Sequence, residues 1–128
     1  MDKIRYDSGT PWEPIVGYSR AIRVGNHVHV SGTTALDEDG EIVGKGDAYL
    51  QTQQILKNIE RGLLQVDASM SDVIRTRIYV TNIDAWKQVG KAHGQAFAEI
   101  KPATSMVEVS RLIDSEFLVE IEVEAYVP

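Results

Sequence analysis

Residues 116–127, EFLVEIEVEAYV, alternate apolar and acidic side chains over most of their length. An extended strand sets successive side chains on opposite faces, so Val119, Ile121, Val123 and Ala125 share one face and Glu120, Glu122 and Glu124 the other. One face wants a core and the other does not. The chain must therefore build a sheet that is covered on one side, and the other segments must supply the cover.

Two segments have the helical spacing to do so. Asp47 is placed to cap a helix in which Ile55, Leu56, Ile59, Leu63 and Val66 recur on one stripe, with Gly62 a modest local cost. Asp84 is placed to cap a second helix, with Trp86, Val89, His93 and Phe97 as its stripe and Ala92 and Ala96 beside it. GYSRAIRVGNHVHVSG (17–32) reads as a hairpin, Tyr18–Val24 and His27–Ser31 joined at Gly25-Asn26. SDVIRTRIYVTN (71–82) alternates as a strand, with Ile74, Thr76, Ile78 and Val80 opposing Val73, Arg75, Arg77 and Tyr79. KPATSMVEVSRL (101–112) is another, with Thr104, Met106, Glu108 and Ser110 opposing Ser105, Val107, Val109 and Arg111. DEDGEIVG (37–44) is a turn at Gly40 leading to a short strand, and residues 1–16 are irregular, since Pro11 and Pro14 resist helix. The expected class is α+β in the order β-β-α-β-α-β-β, one domain over 1–128, a sheet with two helices on one face.

Composition narrows the partners. Thirteen basic against nineteen acidic residues give a net charge of −6, which opposes non-specific contact with nucleic-acid phosphate or anionic lipid. No Cys is present, so thiolate nucleophiles, disulfides and Cys-ligated metals are excluded within the chain. No apolar run approaches the roughly 20 residues of a membrane span, and MDKIRY has no signal-peptide core. A soluble cytoplasmic protein is expected, with no nucleic-acid or membrane partner.

Several groups could carry chemistry. A carboxylate enclosed in a cleft can hold water and move a proton, but spacing does not choose among Glu120, Glu122 and Glu124. His27 and His29 share a strand face without an obvious third metal ligand; an ordinary hairpin face is expected, and no metal. His93 lies on an apolar stripe, as a packed or pocket-edge residue. Arg75 and Arg77 are expected to pair with the strand acids rather than clamp a ligand. Ser31-Gly32-Thr33-Thr34 ends a strand with hydroxyls and a freely turning backbone, a weak anion-site signal.

GYSRAIRVGNHVHVSG, DVIRTRIYVTNIDAW, PATSMVEVSRL and VEIEVEA together resemble the reactive-intermediate deaminase family, also called YjgF or Rid, over about residues 14–127. That resemblance implies a chorismate-mutase-like fold, a homotrimer whose sheets form a central barrel, and small-molecule pockets in the clefts between neighbours. It implies hydrolysis of enamines and imines with no metal or organic cofactor. It assigns the water-positioning role to Glu120 and the aromatic border to Tyr18. Ser31 and Gly32 fall at the ligand-binding strand end, and Met106 and Ser105 fall on the pocket wall. Trp86 and Gly90 fall near the rim, and Gly90 departs from the Asn common there. Thr104 stands where the family carries its carboxylate-binding Arg. Arg77 and Lys101 are the candidate replacement cations. A non-enzymatic metabolite-binding trimer is the alternative, and endoribonuclease activity is disfavoured by the charge.

Overall fold

The computed structural model describes residues 2–128. Its elements are β1 (Lys3–Tyr6), α1 (Trp12–Val16), β2 (Ala21–Val24), β3 (His27–Thr33), α2 (Ala48–Gln65), β4 (Val73–Val80), α3 (Trp86–Phe97), β5 (Ala103–Glu108) and β6 (Val119–Tyr126). The fold is mixed α+β, one six-stranded sheet in the order β1-β2-β3-β6-β4-β5. Every pairing is antiparallel except β4–β5, which is parallel and bridged by α3. The expected order recurs from β2 onward. The N-terminal segment corrects the expectation of irregular chain: it forms an edge strand and one short helix that accepts Pro14 in its first turn, where a missing N–H costs little.

Val119, Ile121, Val123 and Ala125 of β6 are buried beneath α2 and α3, together with Val28 and Val30 of β3 and Ile78 and Val80 of β4. Ile55, Ile59 and Leu63 of α2 meet them. Asp47 caps α2 as expected, accepting from the Leu50 N–H at 3.0 Å. At the other end Arg23 donates to the Val66 and Asp67 carbonyls, at 3.1 and 2.8 Å, and so satisfies carbonyls left open by the helix.

Two details differ from the alternation read in the sequence. In β4 the register against β6 shifts between Val73 and Arg75, so Ile74 is an extra residue in a bulge and is 54% exposed. Val73 thereby joins the core instead of sharing a face with Arg75. Second, Asp84 does not cap α3. Asn82 caps a 3₁₀ turn over Ile83–Ala85 by accepting from the Asp84 N–H, and α3 follows that turn directly. Trp86, expected on the buried stripe, is 53% exposed, whereas Val89, Ala92 and Phe97 are buried. The first strand of the hairpin is also shorter than expected, beginning at Ala21. Among the described residues no helix is long and apolar enough to cross a membrane.

Candidate functional site

The sheet face away from the helices carries the acids of β6. Their surroundings separate them. Arg77 donates to Glu124 at 2.6 Å and lies 3.9 Å from Glu122. Tyr79 donates its hydroxyl to Glu122 at 2.8 Å. The hydrogen bond from Arg77 lowers the Glu124 pKa, and that to Glu122 raises the Tyr79 pKa. Arg75 donates to Ser105 on β5 at 2.9 Å. Arg77 thus pairs with two strand acids as expected, whereas Arg75 departs from the expectation and bonds a serine on the other neighbouring strand instead.

Glu120 has no hydrogen-bonding or ion-pair partner among the described residues. It is half-buried, and burial pushes its pKa above the ordinary 4.5, with the Arg20 charge offsetting part of the rise and Glu122 adding to it. Its carboxylate folds over Gly32: a Cβ at position 32 would lie 2.9 Å from Glu120 Cδ and closer still to Oε2. A bulge in β3 makes this possible. Val30 pairs with Val123 and Thr33 with Ile121, so Ser31 and Gly32 together oppose a single residue of β6. Geometry on its own therefore distinguishes Glu120 from its two neighbours.

Behind Gly32 lies a buried cation that the hydropathy pattern did not reveal. Arg20, 5% exposed, donates to the Gly32 carbonyl, to Thr33 Oγ1 at 3.2 Å and to Ser8 Oγ at 3.1 Å. Its guanidinium sits 3.4 Å from Glu13 Oε2 and from the Tyr18 hydroxyl, and 5.5 Å from the Tyr18 ring centroid. Burial alone would raise the Glu13 pKa. Hydrogen bonds from the Thr10 and Ser8 hydroxyls and backbone N–H groups outweigh it and hold the pKa at about 2. The one sequence signal for Glu13 is Thr10-Pro11-Trp12-Glu13, which has the spacing of a capping box. Ser31 donates to the Ser19 carbonyl at 2.7 Å and lines an open cleft with Tyr18 and Ile22. Tyr18, Ser31, Gly32 and Glu120 thus gather around Arg20.

The other expected site residues lie elsewhere in the chain. Thr104 and Met106 pair with Thr76 and Ile78, so they share the helix-side face of the sheet at its β5 edge. Thr76 Oγ1 is 2.7 Å from Thr104 Oγ1 and 2.9 Å from His93 Nε2. Trp86 and Gly90 precede His93 at helical spacing on one face of α3. A Cβ at Gly90 would meet nothing within 4 Å, so position 90 faces open space. Ser105 points to the opposite face, toward Arg75. Lys101 is exposed and in the left-handed region at φ 53°, ending the turn after α3. Glu120 and Thr104 therefore face opposite sides of one sheet. Among the described residues no group of three or more His, Asp or Glu is placed to hold a metal; His27 instead meets Tyr126 edge-on at 5.3 Å.

A family model described as endoribonuclease L-PSP matches residues 10–127. The chain belongs to this family, which carries the YjgF, RutC and Rid names. Within it, the chain is similar to Rv2704 from Mycobacterium tuberculosis, a member of the YjgF/YER057c/UK114 family. The two share 48% identity with a TM-score of 0.90, over 98% of this chain and 100% of that one. A RutC family protein of Pyrococcus abyssi is 40% identical over 89% of both chains. A protein named 3-aminoacrylate deaminase RutC, from Acinetobacter baylyi, is 33% identical over 93% of both. The last of these supports a deaminase association at the level of the family.

Proposed function

We propose that this family member is a cofactor-independent hydrolase of enamine or imine metabolites, with Glu120 as the group that holds and deprotonates water. The observation that carries the reading is the state of Glu120: half-buried, raised in pKa, unpartnered among the described residues, and laid over a glycine in a bulge. A carboxylate with its lone pairs uncommitted can accept a proton from water as the oxygen attacks an imine carbon. That proton passes to the nitrogen to give a carbinolamine, and the carboxylate then carries the hydroxyl proton to the nitrogen as the adduct collapses, so both water protons leave on ammonia. The C–N bond breaks, ammonia leaves and a carbonyl remains. The 3-aminoacrylate deaminase name of the Acinetobacter relative supports this class of reaction.

The proposed pocket lies between two chains of a homotrimer. Glu120, Gly32, Ser31 and Tyr18 come from one chain, and Thr104, Met106, Trp86 and Gly90 from the next. The opposite orientation of Glu120 and Thr104 supports this assignment. Ser105 belongs with the sheet face that carries Arg75 rather than with Thr104. Thr104 supplies one neutral hydroxyl where the resemblance expects a guanidinium. Arg77 is held by Glu124 and Glu122, so it supplies no free charge there. The preferred substrate therefore lacks a carboxylate at that end.

Two variants and two substrates test this. Glu120→Gln is expected to abolish ammonia release while leaving the fold intact. Because the folded state raises this carboxyl's pKa, its ionised form costs stability at neutral pH, so Tm stays level or rises. Turnover equal to wild type in Glu120→Gln would rule out the mechanism. Wild type is expected to be slow on 2-aminoacrylate and 3-aminoacrylate, and Thr104→Arg to gain activity on both. A gain of about 10²-fold matches a restored charge-assisted contact of a few kcal/mol.

A further inference from the structure

Thr76 is fully buried and its hydroxyl lies within hydrogen-bond distance of two groups, His93 Nε2 at 2.9 Å and Thr104 Oγ1 at 2.7 Å. Thr104 Oγ1 in turn lies 3.2 Å from the Pro102 carbonyl, which can only accept. A hydroxyl carries one proton, so the direction of each bond constrains the next. In one direction His93 donates from Nε2 to Thr76, Thr76 donates to Thr104, and Thr104 donates to Pro102. Every proton then has an acceptor, and all three contacts are used. In the reverse direction Thr104 donates to Thr76 and Thr76 donates to His93, and the Pro102 contact is lost. The first direction satisfies more bonds, and each bond polarises the next.

The exposed member of this chain is Thr104. Its single proton rests on a long 3.2 Å contact, the weakest of the three, and can swing to a better acceptor. Its lone pair facing Thr76 is already occupied. Its proton is the part of the group free to turn toward a ligand oxygen, and the group carries no charge.

We propose that His93 and Thr76 are positioning residues that fix Thr104 as a hydrogen-bond donor, and that the ligand group it meets is an uncharged carbonyl oxygen, as in an amide or imide. The ligand half rests on the reading that Thr104 lines the binding site. The positioning half does not.

Long-range ¹H–¹⁵N correlation spectra of the full chain read the His93 tautomer directly. The expected wild-type form carries its proton on Nε2. In Thr104→Val the Thr76 proton loses its acceptor and turns to His93, so the proton moves to Nδ1. Thr104→Ser keeps the wild-type form. A wild-type Nδ1–H tautomer, or a tautomer indifferent to Thr104→Val, overturns the positioning relation. Crotonamide and crotonate share a carbon skeleton and differ in that oxygen, so they serve as probes in chemical-shift titrations. Crotonamide is expected to bind about tenfold more tightly, because a neutral hydroxyl does not offset the desolvation of a carboxylate. Thr76→Val is expected to weaken crotonamide binding several-fold and Thr76→Ser to retain it. Crotonate binding as tightly as crotonamide overturns the ligand preference. Shifts at Thr104 with neither probe overturn the placement of Thr104 in the site, and the ligand half with it, while the tautomer experiment still decides the positioning half.

Discussion

Gly32→Ala separates the position of the Glu120 carboxylate from the stability of the sheet beneath it. The new Cβ would lie 2.9 Å from Glu120 Cδ and 3.3 Å from Cγ, with Oε2 nearer still. Carbon pairs rest at about 3.5–4.0 Å, so the carboxylate must retreat by about 1 Å. Gly32 is not among the residues with positive φ, so alanine strains no backbone there. The atoms that give way are the end of a flexible side chain. The cost in stability is then under about 1 kcal/mol, or about 4 °C in Tm for a domain of this size, at fixed protein concentration. The proposed hydrolysis responds differently, because about 1 Å of misplacement costs on the order of 10²-fold. The displaced carboxylate also gains water, so its pKa falls back toward the ordinary carboxylate range. Calorimetry, ¹³C-detected titration of Glu120 and ammonia release report the three effects. A fall in Tm of more than about 10 °C, well beyond the cost argued for a side-chain shift, or an unchanged Glu120 titration, would refute the reasoning.

Two further substitutions follow from the hydrogen bonds of Glu13 and Arg23. Glu13 has its pKa lowered from 4.5 to about 2 and is 1% exposed. Its contribution is complete above the unfolded pKa and is lost as pH falls from about 5 through about 2. Glu13→Gln should flatten that part of the stability–pH curve measured by urea unfolding, and an unchanged slope would count against the assignment. Arg23→Ala removes the donors to the Val66 and Asp67 carbonyls and should cost about 1–2 kcal/mol. Faster amide exchange concentrated in the last turn of α2 would distinguish this from a general loosening.

The fold was legible where side-chain periodicity alone decides it. β6, α2 and the hairpin turn at Gly25-Asn26 all follow from spacing, because burial of one face enforces the period. What escaped were departures from period. The Ile74 bulge inserts one residue, and no residue type announces it. The Asn82 cap precedes a 3₁₀ turn that the Asp84 signal obscured. Arg20 was invisible because hydropathy assigns a guanidinium to the surface, and only tertiary contacts with Glu13, Ser8 and Thr33 make its burial tolerable. Glu120 could be singled out by resemblance but not by spacing. The partners of Glu122 and Glu124 lie on β4, more than 40 residues away in sequence.

The placement of Glu120 and Thr104 on opposite faces of one sheet has a genetic consequence. A ligand that touches both must touch two chains, so damage to either residue can be complemented by a neighbour. In the proposed trimer, co-expressing one chain lacking Glu120 with another blocked at Thr104 would regenerate an intact site wherever each chain supplies its undamaged half. Each mixed ring holds one such site and one that is doubly defective. Two alleles that are individually silent would then show partial activity together, at a level set by how the subunits assort.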